Sequence, residues 1–193
     1  MKTMQLEPLR LESRDFVLEP VTAAHEQEMR IMLDCDHDHW RILYSNGAGD
    51  GFPAYWQALT ATPRRIGFAA REKASGRLAG TSGYLAIDSA NRSLEVGGTW
   101  YHPDFRGTRL NPEAKYLLLD HAFRSGALRA WFQVDTRNAR SCAAMRKLGA
   151  VEEGIARRHM VTWTGHERDS HIFSIVDDEW PAVKARLEAR LAA

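Results

Sequence analysis

The stretch 94-LEVGGTWYHPDFRGTRLNPEAKYLLLDHAFR-124 decides how the rest of the chain is organised. Leu94 to Tyr101 alternates and is rich in β-formers, so it reads as a strand, with Gly97-Gly98 in its middle. His102 to Leu110 reads as a turn-forming loop carrying Arg106, Gly107, Thr108 and Arg109. Asn111-Pro112 is expected to open a helix, because Asn can accept a backbone N–H at the cap and Pro has no N–H to leave unpaired in the first turn. Glu113 suits the positive end of the helix dipole. Tyr116, Leu117, Leu119, Ala122 and Phe123 recur at helical spacing and give that helix one buried face.

A loop with two arginines ending at a helix N-terminus offers free N–H groups and positive field to a phosphate. An ordinary solvated turn between strand and helix has the same residues, so the loop alone does not decide. The glycines add a second signal. Paired glycines weaken a strand and mark a bulge or a close backbone approach. A bulge there would pry the strand from its neighbour, and an extended ligand with amides could pair with it like an added strand. The pantetheine arm of coenzyme A is such a ligand, and its pyrophosphate would fall on the arginine loop.

The chain resembles, over nearly its whole length, the GNAT acyltransferase superfamily, of the RimJ/RimL-like (ribosomal-protein-alanine acetyltransferase) type. The resemblance is carried by the opening stretch, by 134-VDTRNARSCAAMRKLGAVEEG-154 and by 157-RRHMVTWTGHERDSHIFSIVDDEW-180. It implies an acetyl-CoA-dependent N-acetyltransferase. The family's pyrophosphate loop usually reads Arg-x-x-Gly-x-Gly/Ala. Arg106 matches it, whereas Arg109 stands at the inner Gly and Asn111 at the final Gly/Ala.

At 193 residues the chain is long enough for one domain with a substantial core, expected as a single acyl-CoA N-acyltransferase domain over 1–193. The 26 basic and 25 acidic residues nearly cancel, which argues against bulk electrostatic binding of nucleic acid. No run is long enough to cross a membrane and the N-terminus has no basic-then-apolar signal, so a cytoplasmic protein is expected. Cys35 and Cys142 show no metal-type pairing and are expected as free thiols.

Along the chain, Leu6 to Val21 reads as two short strand pieces, and Thr22 caps a helix to about Leu33. Asp34 to Trp40 (DCDHDHW) holds metal-capable side chains, but no second cluster supports a metal site. Its three carboxylates would instead draw a cationic amine towards a cleft, or form a solvated loop. A turn-like Ser45 to Gly51 precedes a helix over Phe52 to Ala61. Strands follow over Arg65–Arg71 and Arg77–Ile87, and then Leu94–Tyr101. After the central helix come a strand over Leu128–Asp135 and a helix over Asn138–Leu148 stopped by Gly149. A hairpin pairs Val151–Thr162 with Arg168–Val176, and an amphipathic helix runs over Asp178–Leu191. This order predicts an α+β fold: a mixed, mostly antiparallel sheet flanked by helices, with one splayed parallel strand pair in its centre.

Acyl transfer from a thioester to an amine needs a base, aligned reactants, donors for the oxyanion and a proton for the thiolate. Glu95, just before Gly97-Gly98, is the expected base; a solvated strand-edge glutamate is the plainer alternative. Backbone N–H groups near Thr99 and Trp100 are the expected oxyanion donors. Asn138 and Ser141 form the N-x-x-S pattern recurrent in RimJ/RimL-like proteins, which implies that both touch the cofactor beyond simple capping. No tyrosine follows Cys142, so Ser141 or solvent is expected to supply the acid. The cofactor-binding set is thus Trp100, Arg106, Gly107, Thr108, Arg109, Asn111, Asn138 and Ser141, with no metal. Arg157, Arg158, His159, Arg168 and Asp169 on the last hairpin read as a solvated face, an acceptor contact or a dimer contact, with His159 as a second choice of base. Trp131, Trp163 and Trp180 read as core or packing residues rather than a binding box. The expected partner is a small-molecule or peptide amine. An α-amine, titrating near about 8, suits a weak base better than a lysine near about 10.4. The last hairpin and helix are available to pair subunits as a homodimer. The rival functions are transfer from another acyl-CoA, such as succinyl-CoA, and a non-catalytic acyl-CoA-binding module.

Overall fold

The structure is a computed structural model and describes residues 3–192. Eight strands form one sheet: β1 (Leu11–Glu12), β2 (Phe16–Pro20), β3 (Ile66–Glu72), β4 (Leu78–Asp88), β5 (Ser93–Tyr101), β6 (Arg129–Asp135), β7 (Val151–Val161) and β8 (Glu167–Val176). Their order is β1-β2-β3-β4-β5-β6-β8-β7. Every neighbouring pair is antiparallel except β5–β6, which is joined by the crossover helix α4 (Leu110–Arg124). This is the mixed, mostly antiparallel α+β sheet that the element order predicts.

Alternation along the strands divides the apolar residues between two faces. Phe68 and Ala70 of β3 join one core, which also takes Leu110, Leu118 and Ala122 of α4, and Val183 and Leu187 of α6 (Trp180–Ala192). Ala69, between them, joins a second core. That core is covered by α1 (Glu26–Leu33), the one-turn α2 (His37–Trp40) and α3 (Phe52–Ala61), through Met29, Trp40, Phe52 and Tyr55. The remaining helix, α5 (Ala139–Leu148), ends at Gly149 with φ +92, the left-handed conformation expected there.

One expectation is corrected. Helix α4 starts at Leu110 with Arg109 at its cap position, so Asn111 lies inside the first turn and does not cap it. The Thr108 hydroxyl accepts the N–H of Leu110 at 3.3 Å, which removes the need for an Asn cap. Trp163, 46% exposed, takes the packing role and not the core one: its indole N–H reaches the carbonyl of Trp40 at 2.9 Å and docks the last hairpin onto α2. Trp180 is buried as expected. Among the described residues no helix is long and apolar enough to cross a membrane, and both cysteines are free.

Candidate active site

The parallel pair β5–β6 is joined only at its start, where Ser93, Leu94 and Glu95 face Arg129, Ala130 and Trp131. Both strands run on, to Tyr101 and to Asp135, without pairing again. The cause lies in the glycines. Opposite β4, the register passes from Gly83↔Gly97 to Thr81↔Trp100, so Gly98 and Thr99 together face Ser82. Gly98 takes φ +59, which a side chain would oppose, and the bulge bends β5 away from β6. Gly97 is needed for a different reason: a Cβ there would lie 2.7 Å from the Glu95 carboxylate. The gap opens into a cavity of about 450 Å³.

One end of the cavity is the loop from Arg106 to Thr108 with Asn111 and Pro112 of α4. Arg106 is turned inward: its Nε–H bonds the carbonyl of Tyr101 at 2.8 Å, and its guanidinium pairs with Asp36 and lies 5.5 Å above the Trp100 ring. Asp36 is therefore committed to the loop and is not a free attractant for an amine. Trp100 lines the cavity, and its indole stacks on Trp40 at 5.3 Å. Arg109 is not brought to the cavity. Its Nε–H bonds Glu113 at 3.1 Å, its guanidinium pairs with Asp15 at 3.1 Å, and another N–H reaches the carbonyl of Leu191. Glu113, only 1% exposed, also accepts the Ser13 hydroxyl and the Asp15 N–H, fastening α4 to the β1–β2 turn. On the other wall, Asn138 caps α5 by accepting the Ser141 N–H at 3.0 Å, and both residues line the cavity. The Ser141 hydroxyl has no protein partner among the described residues, and Arg140 and Arg190 add cations at the cavity lining.

The match to a family is decided by comparison. The Acetyltransferase (GNAT) domain family matches residues 15–151, more than half of the chain. The chain belongs to the GNAT acetyltransferases. No curated protein matches it. Among solved structures, it is similar to a candidate acetyltransferase from T. thermophilus (37% identity, 97% of this chain and 100% of that one, TM-score 0.88). It is also similar to a probable GNAT acetyltransferase from Chromobacterium violaceum (30%, 94% and 92%, TM-score 0.86). The Mycobacterium smegmatis RimJ in complex with CoA-disulfide shares the fold at 23% identity (98% and 97%, TM-score 0.78).

In this GNAT chain Glu95 sits where β5 and β6 part and lines the cavity. Burial pushes its carboxyl from the ordinary 4.5 up to about 7, against the fields of Arg168, Arg65 and Lys115. One of these neighbours, Lys115, escaped sequence reasoning. Lys115 is a buried cation on α4 whose ammonium bonds the Thr99 hydroxyl at 3.3 Å, and Thr99 in turn meets Ser82 at 2.7 Å. Burial lowers Lys115 to about 8, and Glu95 opposes that shift. A lysine on the apolar stripe of a helix was the signal available. Arg168, for which the sequence left a solvated face, an acceptor contact or a dimer contact open, is only 4% exposed and lines the cavity, so the solvated reading does not hold. His159 meets the Ser170 hydroxyl at 3.1 Å and is not among the residues lining the cavity. Among the described residues no group of three or more His, Cys, Asp or Glu side chains could hold a metal.

Proposed function

We propose that the chain transfers an acetyl group from acetyl-CoA to a primary amine, a protein N-terminus or a small amine, by direct attack in a ternary complex, as a RimJ/RimL-like enzyme. The observation that carries this reading is the strand gap, with Glu95 at its closed end and the loop and first turn of α4 at the other. Bound acetyl-CoA supplies the activated acyl group; everything else comes from the chain. The unpaired backbone beyond Gly97 offers amide partners to the pantetheine arm. The N–H groups of the α4 first turn, with Arg106, Gly107, Thr108 and Asn111, would meet the pyrophosphate. Arg109 would contribute backbone only. Backbone N–H groups at Thr99 and Trp100 are the donors for negative charge on the acyl oxygen.

Glu95 takes the amine proton, directly or through water. A carboxyl near 7 is a far better base than one near 4.5, yet is still substantially ionised at neutral pH. Asn138 spends its oxygen on the cap and keeps its amide N–H groups for the arm. The departing thiolate takes its proton from solvent, directly or through the free Ser141 hydroxyl, which regains one from water as it gives one up. With the reactants held in line, positioning supplies much of the rate. The test is release of coenzyme A thiol from acetyl-CoA across an amine panel, with product mass measured. A product heavier by one acetyl group supports the reading. Binding of acetyl-CoA without transfer to any amine would favour a non-catalytic module, and faster transfer from succinyl-CoA would favour the other acyl donor.

A further inference from the structure

The proposed function leaves one cavity group without a task. Arg168 has five N–H donors, and a guanidinium cannot shed its charge in a protein. It is withdrawn from solvent, yet its Nε–H has no acceptor. Its other contacts are weak: the Met160 sulfur at 3.7 Å and Asp135 at 3.9 Å, beyond hydrogen-bond range. Asp135 is already engaged by Arg137 through two side-chain bonds, at 2.9 and 2.8 Å. No ion pair within 4.0 Å joins Arg168 to Glu95 among the described residues. A buried guanidinium left this short of acceptors costs stability, and a bidentate anion would restore it.

Its position says which reactant would bring that anion. Strand β8 overshoots the end of β6, since the last pair is Asp135↔Ser170 and Arg168 lies two residues beyond it, opposite Met160. There the hairpin is docked on the α2 segment, with the Trp163 N–H meeting the carbonyl of Tyr44 at 3.4 Å. Tyr44, Met160 and Arg168 line the cavity together with Glu95. Three cations, Arg168, Arg65 and Lys115, act on Glu95, and the nearby Asp135 is held by Arg137. Such an excess of positive charge repels a polyamine or an aminoglycoside and attracts a carboxylate.

We propose that the acceptor is a small amine that also carries a carboxylate, of the amino-acid class, and that Arg168 grips that carboxylate while the amine faces Glu95. The planar fork of Arg168 suits a carboxylate better than a point charge does, so the residue sets specificity. This rests on the acetyltransferase reading above.

The test compares matched acceptors that differ only in the acid: β-alanine with β-alaninamide and γ-aminobutyrate with its amide, alongside spermidine, each with acetyl-CoA and with succinyl-CoA. The carboxylates are expected to give kcat/KM at least about tenfold above their amides, after correction for the fraction of neutral amine, with spermidine poorest. Arg168→Gln and Arg168→Lys should both shrink that ratio, mostly through KM, while acetyl-CoA affinity stays as in the parent. Equal or better use of the amides or spermidine would overturn the inference and leave the acetyltransferase reading intact. So would a preference for succinyl-CoA with carboxylate-free amines, which would assign Arg168 to the acyl group. An unchanged ratio in both Arg168 variants would overturn it as well, and the parent enzyme's ratio decides even if one variant fails to fold. Failure of every amine to be acetylated would bring down both readings together.

Discussion

Replacing Glu95 by Gln should weaken the enzyme and strengthen the fold at the same time. The carboxyl is raised from 4.5 to about 7 by burial, so the unfolded chain ionises it earlier than the folded one does. Below pH 4.5 it is protonated in both states and costs nothing. As pH rises from 4.5 through 7 the unfolded state gains charge first, and stability is lost across that window. The difference corresponds to about 3 kcal/mol at pH 8. Gln abolishes this loss but also removes the negative charge that favours the buried Lys115 ammonium, which offsets part of the gain. A net stabilisation of about 2 kcal/mol at pH 8, vanishing below pH 4.5, is therefore expected in urea unfolding. In thiol-release kinetics the parent should show an acid limb in kcat/KM near pH 7. The variant should lose that limb and fall by about 10²-fold on the plateau. The comparison between the two enzymes cancels ionisation of the amine itself. A parent and variant with the same acid limb, or with stabilities that run parallel from pH 4 to pH 8, would refute the reasoning and remove Glu95 from the role of base.

Gly98→Ala forces a side chain into φ +59, with its Cβ 3.1 Å from the Arg65 guanidinium; it should cost about 1–2 kcal/mol and raise the acetyl-CoA Kd measured by calorimetry. Asn138→Ala removes the 3.0 Å cap of α5, which is worth about 1 kcal/mol in thermal unfolding, and should also raise KM for acetyl-CoA. Arg109→Ala should behave oppositely to a phosphate ligand. Acetyl-CoA affinity stays unchanged while stability falls by about 2 kcal/mol, because Glu113 loses a charge-assisted bond in a buried site. Weakened acetyl-CoA binding in that variant would restore Arg109 to the pyrophosphate loop.

Local chemistry was legible in the sequence wherever neighbours along the chain settle the outcome. The helix over Phe52–Ala61, the stop at Gly149 and the bulge at Gly97-Gly98 depend on a few adjacent residues. The order of elements then forces a parallel crossover between β5 and β6, and that crossover is the cleft. What escaped is pairing between segments far apart. Arg109 is drawn from the loop by Asp15 and Glu113, the first nearly a hundred residues earlier. Asp36 is claimed by Arg106, seventy residues on, so a run that looked like bait for an amine became a brace for the loop. For Arg168, beside Asp169 in a charged hairpin, the sequence left solvent, an acceptor and a dimer partner all open, because only the overshoot of β8 past β6 turns it inward. Lys115 is hidden in the same way by a helix face whose burial is set by β5 and β6.

The central claim is that the gap between β5 and β6 receives the pantetheine arm. A crystal structure of the protein with coenzyme A tests it most directly. The arm should lie between the two strands, with its amides bonded to the β5 backbone beyond Gly97, its thiol directed towards Glu95 and its pyrophosphate on the first turn of α4. A coenzyme bound elsewhere, or strands that close along their full length in the complex, would contradict it.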